Sequence, residues 1–264
     1  MIGLAVIVGE AIALGRIPPA WPALLGFLTA SLLLAGTMVL NDIQDVEVDR
    51  VNSPDRPLPS GRVSIGEAYS LSIGLSAIAL AASFLLGIGT FLTALAALTL
   101  MAYYNTRGKQ TGFLGNAVVS FNVALPFFFG GLAVDSLRPL LFIFFLLAFL
   151  ANLAREVAKG IADVAGDSVK GIRTLAVLKG VGWAAKTSGV LFGLAVLLSF
   201  LPPLFGVSIF YYPVVLAADA GFLYSAFCLM RDQTPKTVRV VKTQVLAWMF
   251  LGLVGFLLGG SGIL

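Results

Sequence analysis

Two short acidic segments interrupt an otherwise apolar chain, and they repeat one pattern. The first reads Asn41-Asp42-Ile43-Gln44-Asp45-Val46-Glu47-Val48-Asp49 and the second Ile161-Ala162-Asp163-Val164-Ala165-Gly166-Asp167, so both contain Ile-x-Asp-Val-x-x-Asp. Each lies at the end of a hydrophobic run. Carboxylates are costly to hold near lipid, so two such clusters at the ends of membrane spans point to function more than to a solvated connection. On a helix, residues four apart share a face. Asn41, Asp45 and Asp49 then form one stripe, and Asp163 with Asp167 forms another. The chain has no histidine, and its single cysteine, Cys228, sits in an apolar run as a packing residue. That excludes His-based triads, histidine haem ligation and His-rich zinc sites, and leaves oxygen as the metal ligand. Such hard donors suit Mg2+, which takes one or two protein carboxylates and completes its shell with water and phosphate oxygens. Facing carboxylates repel unless cations intervene. A Mg2+-bridged diphosphate is the expected occupant.

The elements that must position these stripes are membrane helices. Of 264 residues, 59% are hydrophobic and 11% charged, with mean hydropathy +0.99, a composition that excludes a soluble domain. A helical span needs about 20 mostly apolar residues. Nine such runs are expected, at roughly 1–16, 20–42, 64–87, 88–105, 112–134, 138–160, 174–201, 206–230 and 237–260, forming one polytopic domain over 1–264. Residues 1–15 lack a basic lead-in and a cleavage site, so they read as a span and not as a targeting segment. Ser64-Ile65-Gly66-Glu67 fits a capping box, and Thr234-Pro235 places a hydroxyl before a proline at a helix start. Three prolines and a glycine make 52–61 a loop.

The basic residues set the orientation. If the connections after the second, fourth, sixth and eighth spans share a side, that side holds every one of the 17 Lys and Arg residues except Arg16 and Arg138. The bias places both acidic segments on the cytoplasmic face of a cell-membrane, multi-pass protein. The net charge of +4 is then explained by topology and by attraction to anionic lipid, with no role for nucleic acid. Arg50, Arg56, Arg107, Lys109, Arg155 and Lys159 fall beside the acidic segments, where such groups neutralise diphosphate oxygens and stabilise a departing pyrophosphate. Some of them mark the membrane boundary instead.

These residues resemble a known family. Asn41-Asp42-x-x-Asp45-x-x-x-Asp49, followed by Asn52, Pro54, Arg56-Pro57 and Gly61, is similar to the first motif of the UbiA superfamily of intramembrane prenyltransferases, and Asp163-x-x-x-Asp167 to its second. The stretch Tyr103 to Asn116, together with Phe129-Gly130-Gly131 and Arg155-Glu156, resembles the branch that makes archaeal ether lipids, the digeranylgeranylglyceryl phosphate synthases. The resemblance covers nearly the whole chain. The second motif in this family commonly carries a further aspartate three residues before Asp163, where this chain has Gly160; that ligand or base is either absent here or supplied elsewhere, with Glu156 as the candidate. The family's Arg and Asn near the start of its first helix have no counterpart here.

The resemblance implies an all-α membrane protein, nine transmembrane helices around a central cavity that opens at the cytoplasmic face. It also implies transfer of a prenyl group from its diphosphate. Mg2+ on Asn41, Asp45, Asp49, Asp163 and Asp167 would withdraw charge as the allylic C–O bond breaks, with Lys109 and Arg56 assisting the departing group. A dry, apolar cavity would protect the carbocation from water, with Tyr103, Phe121 and Phe127 to Phe129 as candidate aromatic neighbours. In the ether-lipid branch the donor is geranylgeranyl diphosphate and the acceptor a lipid-like, phosphate-bearing geranylgeranylglyceryl phosphate. Its phosphate calls for a second basic patch, placed at Lys170, Arg173 and Lys179. The nearest rival is an aromatic prenyltransferase of the same superfamily, acting on 4-hydroxybenzoate or another quinone, haem or chlorophyll precursor. A transporter is a distant one, raised by the intramembrane acids Glu10 and Asp219. Both acids are expected to hydrogen-bond to neighbouring helices instead.

Overall fold

The computed structural model describes residues 1–169, 171–260 and 262, and those residues form helices joined by short connections. In chain order these are α1 (Ile2–Leu14), α2 (Ala20–Asn52), α3 (Ile65–Leu86), α4 (Ile88–Thr106), α5 (Phe113–Ala133), α6 (Pro139–Ala162), α7 (Val164–Val169), α8 (Leu175–Lys179), α9 (Val181–Leu198), α10 (Tyr211–Arg231) and α11 (Pro235–Gly260). A 3₁₀ turn, Gly108–Thr111, links α4 to α5.

Among the described residues, eight helices are long and apolar enough to cross a membrane, and α1 is a shorter apolar helix of 13 residues. At 1.5 Å per residue α1 reaches about 20 Å, short of the roughly 30 Å hydrocarbon core. Large side chains such as Ile73, Leu85 and Leu197 face outward, as they do when the surrounding solvent is lipid. Two expected boundaries move. The second span was expected to end near residue 42, yet α2 continues to Asn52, since its polar tail contains no breaker before Ser53-Pro54. The run 174–201 divides at Gly180 into α8 and α9. The Ser64–Glu67 capping box forms with both reciprocal bonds.

The core centres on α6, which packs against α5, α9 and α11. Its face carries Phe144, Ala151, Ala154 and Ala158, all at most 4% exposed. α1 lies directly on α5. A Cβ on Gly130 would meet the Val6 carbonyl and the Glu10 amide, so only glycine lets these two backbones come so close. The polar ends meet at one end of the bundle. Asn105 at the end of α4 donates to the Thr37 carbonyl of α2 at 3.2 Å, and Arg155 near the end of α6 donates from Nε to the Lys242 carbonyl of α11 at 3.1 Å.

Candidate active site

The first motif forms as a stripe on the last turns of α2. The Asn41 Nδ2 group donates to Asp45 Oδ2 at 3.1 Å, one turn along, as the i, i+4 spacing requires. Lys109, carried by the 3₁₀ turn, reaches the same Asp45 oxygen at 2.6 Å. Further out, Arg56 in the loop after α2 binds Asp49 at 2.7 Å and lies 3.7 Å from Asp42. The hydrogen bond to Asp49 pushes the Arg56 guanidinium above its ordinary range. Sequence reasoning did not assign Asp42 to this group. Arg50 pairs with Glu47 at 2.9 Å on the exposed side of α2, away from Asp45. Arg107 is exposed at the C-terminal cap of α4.

The second motif is not one continuous helical stripe. α6 stops at Ala162, Asp163 occupies its C-terminal cap with an exposed side chain, and α7 restarts the helix with Asp167 on it. The spacing survives the interruption, because the Asp167 amide donates to the Asp163 carbonyl at 2.8 Å. Gly160 is buried against Thr174. One turn earlier, the 7%-exposed Glu156 holds Arg155 at 3.0 Å and Lys159 at 2.7 Å.

A backbone contact brings the segment after the second motif to the first-motif side of the protein. The Arg173 amide, downstream of Asp167, donates to the Gln110 carbonyl in the 3₁₀ turn at 3.2 Å. Gly112 allows that approach: its φ is +63° and a Cβ there would collide with the Arg173 carbonyl. Tyr104 of α4 lies within electrostatic reach of Glu156, Asp45 and Asp167. It falls inside the stretch Tyr103 to Asn116, but no spacing rule marked it as a residue near both acidic segments. Of the residues chosen for a second basic patch, Arg173 contributes this backbone contact, Lys179 lies 6.0 Å from the centre of the Trp183 ring, and Lys170 lies outside the described residues.

Below the polar end, two apolar cavities flank α5. One runs between α1, α2, α4 and α5, lined by Thr37, Ala97, Met101, Val119 and Phe129. Thr37 is one turn from Asn41, so this cavity leads toward the first motif. The other lies between α1, α5, α6, α9, α10 and α11, lined by Phe127, Ala148, Ala151, Phe222 and Met249. Ile2 and Val123 border both. Asp219 borders the second and accepts a hydrogen bond from Ser199 at 2.7 Å, as expected of an intramembrane acid. Glu10 departs from that expectation. Both its carboxyl oxygens are buried without a hydrogen-bond partner among the described residues.

Comparison with known proteins places this geometry. The UbiA prenyltransferase family matches residues 2–258. A digeranylgeranylglyceryl phosphate synthase of Thermococcus sibiricus is 34% identical, covering 97% of this chain and 91% of its own. One from Saccharolobus solfataricus is 36% identical, covering 89% and 84%. A solved digeranylgeranylglyceryl phosphate synthase superposes with TM-score 0.83 at 28% identity, covering 99% of this chain and 94% of that one. A UbiA homologue from Archaeoglobus fulgidus, bound to GPP and Mg2+, has the same fold, with TM-score 0.68 at 19% identity over 96% and 95% of the two chains.

Proposed function

The chain belongs to the UbiA prenyltransferase family, and from that premise we propose that it transfers a geranylgeranyl group from geranylgeranyl diphosphate to the free hydroxyl of geranylgeranylglyceryl phosphate. The reaction is Mg2+-dependent, in a single polytopic domain of the cell membrane whose central cavity opens toward the cytoplasm. The acceptor follows the synthases that this chain resembles along most of its length. The observation that carries the reading is the pair of apolar cavities on either side of α5. A donor and an acceptor that each bear a long prenyl chain need two such spaces, and an aromatic acid acceptor needs one.

The donor atoms present fit Mg2+: they are amide and carboxylate oxygens, the hard donors that this ion takes alongside phosphate. Asn41, Asp45, Asp49, Asp163 and Asp167 would hold it; Asn41 gives its amide nitrogen to Asp45, which leaves its carbonyl oxygen as the ligand. Bound there, Mg2+ supplies charge withdrawal from the diphosphate as the allylic C–O bond breaks.

The remaining work falls to the chain's own groups. Lys109 and Arg56 already point their cationic heads at the acidic stripe, so a diphosphate among those acids meets donors aimed at its developing charge. The cavity that begins at Thr37 and Met101 takes the prenyl chain and excludes water from C1. The test is turnover by the purified enzyme given geranylgeranyl diphosphate, Mg2+ and either acceptor. Product from geranylgeranylglyceryl phosphate supports the reading, and product from 4-hydroxybenzoate alone overturns it.

A further inference from the structure

Glu156 holds two cations with one carboxylate, inside the protein and beside the site. Its Oε1 accepts from Arg155 Nη1 and its Oε2 from Lys159 Nζ. The Arg155 side chain is 17% exposed and Lys159 36%, against 7% for Glu156. Adjacent residues on a helix do not face each other, so Arg155 must curl to reach Glu156. It is fixed in that posture from the other side, where Nε donates to the Lys242 carbonyl of α11. A guanidinium carries five N–H donors and an ammonium three. Glu156 and Lys242 together engage two of the five on Arg155 and one of the three on Lys159. The Arg155 and Lys159 side chains also lie where water reaches only in part.

This cluster differs from the cations of the first motif in what it serves. Lys109 and Arg56 contact the aspartates of α2 directly. Arg155 and Lys159 instead contact Glu156, whose position in the chain suggested only a stand-in for the aspartate missing at Gly160. A carboxylate already engaged by two cations is a poor further metal ligand. The cluster also stands over the other cavity. Ala151 and Ala148 lie one and two turns before Arg155 on the same face of α6, and both line the cavity bounded by α9, α10 and α11. Met249, on the α11 face two turns beyond Lys242, lines it as well.

We propose that Arg155 and Lys159 form a cradle for the phosphate of the acceptor, separate from the acidic site that takes the donor's diphosphate, and that Glu156 is the positioning residue that holds the two in register. The inference rests on the acceptor assignment given above. The acceptor's chain occupies the α6–α11 cavity, its phosphate sits in the cradle, and its hydroxyl is presented toward the first motif. A planar fork and a compact ammonium, both partly shielded from water, suit a phosphate monoester.

The experiment is steady-state kinetics on the full chain in nanodiscs, with geranylgeranyl diphosphate as donor and either geranylgeranylglyceryl phosphate or its dephosphorylated counterpart as acceptor. For Glu156→Gln the KM for the phosphate acceptor rises about tenfold, as loss of one charge-assisted contact implies, while the donor KM stays within about twofold. Glu156→Asp recovers part of that loss. For the double variant Arg155→Met/Lys159→Met, the preference for the phosphorylated over the dephosphorylated acceptor collapses toward unity. Arg155→Lys, which keeps the charge and loses the fork, gives the same split in smaller measure and replaces Glu156→Gln if that protein cannot be extracted folded. Equal rises in donor and acceptor KM, or an unchanged acceptor preference in the double variant, overturn the cradle while leaving the reaction intact. A wild-type enzyme that is active on another acceptor but not on geranylgeranylglyceryl phosphate overturns the acceptor assignment, and the cradle with it.

Discussion

Lys109 Nζ lies 2.6 Å from Asp45 Oδ2, although 64 residues separate them in the chain. The pair closes the gap between α2 and the connection from α4 to α5, and both side chains remain about 30% exposed. An ammonium in that position neutralises the carboxylate and, in the proposed reaction, would bind a diphosphate oxygen. Lys109→Met should therefore lower kcat by about 10²-fold, the scale for removing one preorganised donor from developing charge. Steady-state rates at saturating donor check this. A kcat within twofold of wild type would separate Lys109 from the chemistry.

Gly112 is where the second-motif loop touches the first-motif side. Any side chain there meets the Arg173 carbonyl, and the φ of +63° is strained for an L residue. Gly112→Ala should destabilise the protein by more than about 1 kcal/mol and lower activity together with thermal stability. A thermal shift assay in detergent, paired with turnover, reads both. Unchanged melting and unchanged turnover would show that this contact does not hold the two segments together.

Ala97 lines the cavity that leads down from the first motif. Ala97→Phe should obstruct the deep part of that space, reducing kcat/KM for geranylgeranyl diphosphate about tenfold or more while affecting geranyl diphosphate less, since overpacking penalises the longer chain most. Competition between the two donors measures the ratio. Equal losses for both would place the donor chain elsewhere.

Much of this architecture was legible in the residues. The apolar runs located the helices, the i, i+4 spacing placed Asn41 beside Asp45, and the charge bias put the acidic segments with the basic loops. Local pattern could not give what depends on tertiary contact. Nothing in the spacing of Asp163 and Asp167 signals that α6 ends between Ala162 and Val164. Lys109 is brought to Asp45 by the turn after α4, whose placement only the packed bundle defines. Glu156 was noticed as a stand-in for a missing aspartate, and its neighbours turn out to be cations. Glu10 shows the opposite failure: the rule that buried acids find partners did not hold there among the described residues.

The two acidic segments are assigned to one task, so they should fail alike. Asp45→Asn and Asp163→Asn each preserve volume and should leave a folded, extractable protein, while turnover falls by about 10²-fold or more in both. Size-exclusion profiles and product assays on the same preparations check this. Retained activity in either variant would remove that aspartate from the catalytic group.

The most direct measurement is equilibrium binding of a non-reactive geranylgeranyl diphosphate analogue, with and without Mg2+, to wild type, Asp45→Asn and Asp163→Asn. Tight binding by wild type only when Mg2+ is present, weakened severely in both variants, is the expected result. Binding that ignores Mg2+, or that survives intact in one of the two variants, would contradict a single metal-bridged diphosphate held by both acidic ridges.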